Sequence, residues 1–356
     1  MPRPGSSLDL SEQAGDDPVG PATVAAPDIL AGQDMRFSKP LLRLPMKFSA
    51  EQLSAEVRAL PASAWTAHPQ HFPGNSAVRL ITAGGEATDA IEGAMGPTPY
   101  LLACPYMMQI MDRIGSVWGR SRLMALAPGG DVPLHVDSHY YWRTHIRIHI
   151  PVITNPGVSF TCGGESVHMA AGECWIFDSF LKHEVHNRGD DTRVHLVLDT
   201  VGGGRLHDLI ETAETGGDEF EFVEPAGAAA PQLAFERVNL PNVMSPWEIR
   251  CHVDFIMSNA SAHPKLDAVN KRIGRFIDDW AALWAQFGAD ERAVPRYGQL
   301  LAGVRRDLVA RGAEEIRLRN EVVMQHIFDR LIVEVALQSA RHPRPQAAGM
   351  SLRKAS

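Results

Sequence analysis

Four pieces of one stretch decide the reading of this chain: Leu134-His135-Val136-Asp137, Arg147-Ile148-His149-Ile150-Pro151, Phe177-Asp178-Ser179-Phe180-Leu181-Lys182-His183-Glu184-Val185, and Thr192-Arg193-Val194-His195-Leu196-Val197-Leu198-Asp199. Eight of the fifteen histidines of the 356-residue chain fall between 134 and 199. Histidine is borderline for burial and is the commonest metal ligand, so crowding on short apolar, alternating segments needs a chemical reason. In His145 to Val152 the polar residues His145, Arg147 and His149 share one face and Ile146, Ile148 and Ile150 the other, which is strand periodicity.

Working outward, short strands recur at Arg122–Ala127, Val158–Thr161, Ser166–Met169, Gly172–Phe177 and Arg193–Leu198, with turn signals at Pro128-Gly129-Gly130-Asp131 and Cys162-Gly163-Gly164. This spacing predicts a sandwich or barrel of the jelly-roll kind. Upstream, Leu41 to Phe48 reads as a strand, Ser49-Ala-Glu-Gln52 as the capping box of a helix, Ala77 to Ile81 as a strand and Pro99 to Trp118 as a buried helix. Downstream the pattern turns helical. Ser245-Pro246-Trp247-Glu248 is a helix start, Leu266 to Phe287 carries an apolar stripe closed by Gly288, and further helices are expected over Tyr297–Ala310 and Glu314–Leu337.

The expected fold class is therefore α+β: a jelly-roll core with flanking helices and a helical C-terminal subdomain. The expected organisation is a disordered tail over 1–33, the barrel domain over 34–205, a linker over 206–232, the helical subdomain over 233–340 and a flexible tail over 341–356. The helical part carries no catalytic motif, and is expected to cap the barrel mouth or form a homodimer interface.

A net charge of −8 argues against nucleic acid and anionic membranes as partners. Cys104, Cys162, Cys174 and Cys251 form no CxxC pair and read as reduced thiols. With no apolar leader and no apolar run of about 18 residues, the reading is a cytoplasmic protein.

His135-x-Asp137 on a strand points two ligand atoms to one side. With His183 as the third they make the two-histidine, one-carboxylate set that leaves coordination positions open for non-haem Fe(II) oxygen chemistry. His186 competes with His183, but the ten-residue step to Arg193 favours His183. Arg193 alternates with apolar neighbours, and a guanidinium pointing into a barrel must be paired. A dicarboxylate would satisfy it bidentately, and Arg147 poses the same problem on another strand. The competing explanation is a structural ion pair with Asp178, Asp191 or Asp199. His195 reads as a pocket residue beside Arg193. The run His139-Tyr140-Tyr141-Trp142-Arg143 is a loop beside the metal, contacting substrate or merely exposed, and Trp65, His68 and His71 read as packing or surface residues.

His135-Val-Asp137, Arg147-Ile-His149, Gly172-Glu173, Phe177-Asp178-Ser179-Phe180-x-x-His183-Glu184-Val185 and Arg193 together resemble the aspartyl/asparaginyl β-hydroxylase family over roughly Phe37 to Asp199. The resemblance implies a dioxygenase on a double-stranded β-helix core using Fe(II), 2-oxoglutarate and O2, with His135, Asp137 and His183 as iron ligands and Arg193 on the distal carboxylate of 2-oxoglutarate. Arg147 and His149 match positions that help hold the cosubstrate in the vertebrate aspartyl hydroxylases. Those enzymes lack the carboxylate ligand. Because Asp137 is present, the chain is also similar to bacterial proline hydroxylases. The implied substrate is an amino acid, free or within a peptide or natural product. Two other readings stay open: a non-catalytic, cupin-like metal-binding or sensor module, and a zinc hydrolase, the latter without an HExxH or comparable spacing.

Overall fold

The computed structural model describes residues 37–67, 73–217, 219–227 and 231–337. The two tails and the pair His68 and His71 lie outside these residues. The chain opens with β1 (Leu41–Phe48), whose Phe48 leads into Ser49, the N-cap of α1 (Ala50–Ala59), with Ser49 Oγ accepting from Gln52 N–H. After the short β2 (Thr66–Ala67) come β3 (Asn75–Ala83) and β4 (Met95–Pro97).

The expected helix over 99–118 is instead two short helices and the start of a strand. α2 (Pro99–Leu102) ends before Pro105, which cannot donate a backbone hydrogen bond and opens α3 (Pro105–Ile114). Gly115, left-handed at φ 67°, terminates α3, and β5 (Val117–Leu126) follows at once.

The next seven strands build the core: β6 (Asp131–His135), then α4 (Tyr140–Thr144), β7 (Ile146–Ile153), β8 (Val158–Cys162), β9 (Glu165–Val167), β10 (Glu173–Phe177), β11 (His183–Asn187) and β12 (Arg193–Gly202). Their pairing is antiparallel throughout. One sheet runs β10-β7-β12-β5 and the facing sheet β6-β11-β8-β9. Successive strands cross between the sheets, except at the β8–β9 hairpin. This order is the double-stranded β-helix, a jelly roll. β1 extends the larger sheet beyond β10, and β3 extends it beyond β5.

Strand alternation separates two environments. On β12, Val194, Leu196 and Leu198 join Ile146, Ile148 and Ile150 of β7 in an apolar layer covered by α1 and α3. The opposite face turns Arg193, Val197 and Asp199 of β12, with Arg147 and His149 of β7, into the space between the sheets. Phe160, Phe177, Val185 and Leu126 form the small apolar cluster that floors this space.

The segment expected as a linker, 206–232, carries α5 (Gly204–Glu214) and β13 (Glu221–Val223), which pairs in parallel with β1. β14 (Ala234–Phe235) lies along β5. The helical layer follows: α6 (Pro246–Asn259), α7 (Leu266–Phe287), α8 (Val294–Ala310) and α9 (Met324–Phe328). Trp280, Phe276, Tyr297 and Phe328 fill its own core. The expected helix over 314–337 is a correction. Residues before 324 form turns and single bridges, α9 is short, and it continues as a π-helical turn over Asp329–Val333.

One glycine is decisive for joining α1 to the barrel. Gly172, at φ 80°, takes Phe48 N–H onto its carbonyl at 2.8 Å, and a Cβ there would collide with the Phe48 carbonyl oxygen. Gly172→Ala is expected to cost at least about 2 kcal/mol from left-handed strain and the collision together. Chemical denaturation measures this, and an unchanged midpoint would contradict it.

Candidate metal and cosubstrate site

β6 and β11 are antiparallel neighbours, and their register sets His135 directly opposite His183. Their rings lie 4.2 Å apart between centroids. β6 ends at His135, so Asp137 sits just beyond the strand rather than on it. Its backbone N–H is tied to the carbonyl of Ser179 at 3.0 Å. The Phe177–Phe180 turn thus places the carboxylate. His135, Asp137 and His183 each offer a ligand atom within 4.8 Å of the others, one exposed, one intermediate and one buried.

The donor chemistry of the triad fits a divalent metal. His135 Nδ1 meets the Pro133 carbonyl at 2.7 Å and His183 Nδ1 that of Leu181 at 2.9 Å. Both rings therefore carry their proton on Nδ1, which leaves Nε2 as the ligand atom. Burial pushes the His183 pKa down to about 4, so the ring is neutral at physiological pH. Asp137 Oδ2 accepts from Arg147 Nη1 at 3.2 Å, and Oδ1 lies on the side of His135 Nε2, 3.9 Å away. His186 lies outside this cluster: three residues on, it pairs with Asp131 at 2.7 Å and Glu184 at 3.3 Å.

A cavity of about 480 Å³ opens from the triad into the barrel, within the range of small-molecule sites. At its inner end Arg193 is 4% exposed. Among the described residues no carboxylate pairs with it. Asp199 is opposite Arg147 in the β7–β12 register and accepts from Arg147 Nε at 3.0 Å, while Asp178 accepts from Arg319 at 3.1 Å. Arg193 Nη2 instead donates to His195 Nδ1 at 2.7 Å, and its Nε has no partner. Burial pulls its pKa down to about 9. His149 and His195 are themselves held neutral, first by burial and then by the Arg193 charge. His149 Nε2 and His195 Nε2 also lack partners. An uncompensated guanidinium beside orphaned ring nitrogens is the donor set a carboxylate ligand would complete.

The predicted residues thus converge, with one difference. Arg147, expected to need an anionic ligand, already neutralises two protein carboxylates, because Asp199 is its cross-strand neighbour and Asp137 lies within reach of Nη1. Trp142 lies over its guanidinium, 3.8 Å from ring centroid to Cζ. Of the other histidines, His139 lines the cavity, while His145 is a buried partner of Glu236 at 3.1 Å. Trp65 packs against the main core. The sequence reading passed over Arg120, Arg122 and Met124. Alternating polar positions within apolar β5 were the available signal, and these side chains line the cavity opposite the triad. Arg122 is anchored on Asp89 at 2.7 Å.

Residues 97–202 match the family described as Aspartyl/Asparaginyl beta-hydroxylase. This part of the chain is similar to that family. The matched hydroxylase segment runs from β4 through β12 and contains the whole triad and Arg193. A curated relative, L-proline cis-4-hydroxylase of Rhizobium meliloti (strain 1021), is 26% identical over 104 residues, 29% of this chain. The chain spans 37% of that relative's length. Similar solved structures include an oxidoreductase of the 2OG-Fe(II) oxygenase family from Burkholderia pseudomallei (15% identity, TM-score 0.32, 46% of this chain and 87% of the other). A prolyl-4-hydroxylase from Pseudomonas putida is alike at 15% identity and TM-score 0.32, covering 46% of this chain and 92% of its own. No described helix is long and apolar enough to cross a membrane.

Proposed function

We propose that this protein is an Fe(II)- and 2-oxoglutarate-dependent dioxygenase that hydroxylates an unactivated carbon of an amino acid, free or as an aminoacyl or peptidyl residue. The observation that carries the reading is Arg193: a buried guanidinium without a carboxylate partner among the described residues, in the same cavity as His135, Asp137 and His183. A metal-binding or sensor module has no use for such a charge, whose burial is costly unless a ligand pairs it. The family of residues 97–202 and the name of the proline-hydroxylating relative support the choice of an amino-acid substrate.

In this reading His135 Nε2, Asp137 Oδ1 and His183 Nε2 hold the iron, and Arg193 takes the distal carboxylate of 2-oxoglutarate with His149 beside it. Iron and 2-oxoglutarate bound there would supply oxidation of a C–H bond by dioxygen, coupled to decarboxylation of the cosubstrate to succinate. Arg147, on Asp137 Oδ2, leaves Oδ1 turned toward the metal position. Phe160, Phe177 and Val185 keep the inner cavity dry, which strengthens the Arg193 contact and protects reactive species from water.

The test is an Fe(II)-loaded screen of amino acids and short peptides for stimulated succinate release from 2-oxoglutarate. At least one compound is expected to raise release above the substrate-free rate. Iron binding without any 2-oxoglutarate turnover or binding would favour the metal-binding module.

A further inference from the structure

The C-terminal helical layer, which lies outside the matched hydroxylase segment, reaches the cavity. Arg330 and Glu334 line it together with Arg120, His139 and Trp142 of the barrel. Arg330 stands on the π-helical turn Asp329–Val333 and Glu334 is its C-cap, with the widened hydrogen bond running from Glu334 N–H to the Asp329 carbonyl at 2.9 Å. π-Turns inside helices recur at functional sites, where the extra residue re-aims a side chain. The turn is itself anchored, since Asp329 accepts from Gln325 at 2.9 Å and from Arg305 at 3.0 Å.

The charges of the lining are unequal. Five guanidiniums (Arg120, Arg122, Arg147, Arg193, Arg330) face three carboxylates (Asp137, Asp199, Glu334). Asp199 is buried on Arg147, and Asp137 belongs to the triad and to Arg147. Glu334 is also paired, with Arg330 Nη1 on its Oε2 at 2.6 Å, but it is one-third exposed where Asp137 and Asp199 are buried or nearly so. An ammonium entering this cavity meets repulsion along the barrel wall and attraction at Glu334. The pair is poorly explained as helix support. An arginine four residues ahead of a glutamate is the less favourable order, and such exposed pairs contribute little.

We infer that Glu334 is a specificity-determining residue that receives the protonated amino group of the substrate, with Arg330 as the positioning residue that orients its carboxylate. The inference rests on the hydroxylase reading and narrows it: the substrate presents a free amine, as an amino acid or an N-terminal residue does, and an internal peptide residue does not. The helical third then acts as the wall that selects substrate, while the barrel performs the chemistry.

The experiment compares the full-length wild type, Glu334→Gln, Glu334→Asp and Arg330→Met. The probes are L-proline and L-aspartate, each beside its N-acetyl form. Succinate release is followed with Fe(II), and binding by titration calorimetry with Mn(II) and 2-oxoglutarate under nitrogen. The wild type is expected to prefer a free amino acid to its N-acetyl form. Glu334→Gln should raise KM and weaken calorimetric binding by about 10- to 100-fold, with kcat within about twofold. Its preference over the N-acetyl form should collapse, Glu334→Asp should restore part of it, and Arg330→Met should fall between. Unchanged KM and unchanged preference in Glu334→Gln, or a wild type that favours the N-acetyl forms, would overturn the inference. Binding that depends on Glu334 without any turnover would uphold it while sinking the hydroxylase reading.

Discussion

Replacing Asp137 or His183 by alanine is expected to reduce Fe(II)-dependent succinate release from 2-oxoglutarate to background. The two side chains come from different elements, and the metal position exists only where they meet His135. In the proposed assignment each substitution therefore removes one of three protein ligands, and no fourth candidate donor joins the cluster among the described residues. Asp137→Ala does more: Arg147 keeps Asp199 but loses its second carboxylate, so the cavity gains net positive charge where a cation must bind. Asp137→Asn separates the two effects, because it keeps the shape and removes the charge. Arg147→Met should leave a measurable enzyme reduced about 10- to 100-fold, the usual scale for a residue that orients a ligand. His186→Ala is the matched control, outward-facing and paired only with surface groups, and should keep full turnover. Anaerobic Fe(II) titration and circular dichroism of the same variants distinguish lost metal from lost fold. Full iron-dependent succinate production by Asp137→Ala would show that the triad assignment is wrong.

Local pattern was a good guide wherever one strand face was buried. Leu41–Phe48, His145–Val152 and Arg193–Leu198 alternate, and each forms a strand at or within a few residues of those limits. The same alternation distinguishes His183 from His186, which an odd step places on opposite faces. What sequence hid was set by distant partners. Asp137 reads as part of a strand with His135, yet the strand ends first, and a hydrogen bond to Ser179 in another turn holds the aspartate. β13 and β14 are three and two residues long in a Gly-, Ala- and Pro-rich stretch, and only the edge of β1 and the end of β5 that β3 leaves unpaired make them strands. Between 314 and 337 the apolar residues Val323, Ile327, Leu331 and Val335 recur at four-residue steps, but periodicity alone does not tell a buried turn from a buried helix. There Glu321, at φ 66°, breaks the helix and Arg317 bridges Val323. Arg330 and Glu334 were invisible for the same reason, since no local signal says which helix face meets a barrel mouth.

Arg193→Met is expected to make the ligand-free protein more stable and to abolish its response to 2-oxoglutarate. The wild-type guanidinium is almost wholly buried, its nearest polar neighbours are neutral histidines, and its Nε is unpartnered. Removing a buried charge in favour of an apolar chain of similar length commonly gains about 1–4 kcal/mol. On the proposed reading that cost is recovered in the wild type when a dicarboxylate binds. At a 2-oxoglutarate concentration a hundredfold above Kd, binding adds about 2.7 kcal/mol to the folded state. The melting temperature of the wild type should therefore rise with 2-oxoglutarate in the presence of Mn(II), whereas that of Arg193→Met should start higher and stay put. Arg193→Lys keeps a charge without the planar fork and should respond weakly, because a single ammonium does not match a carboxylate bidentately. A structural role predicts the opposite signs. If Arg193 held the fold through a partner, its loss would destabilise the protein by about 3–5 kcal/mol with or without the cosubstrate. On the proposed reading a charge buried at a net cost to the empty fold has its compensation in the ligand, and the two melting curves measure that compensation directly.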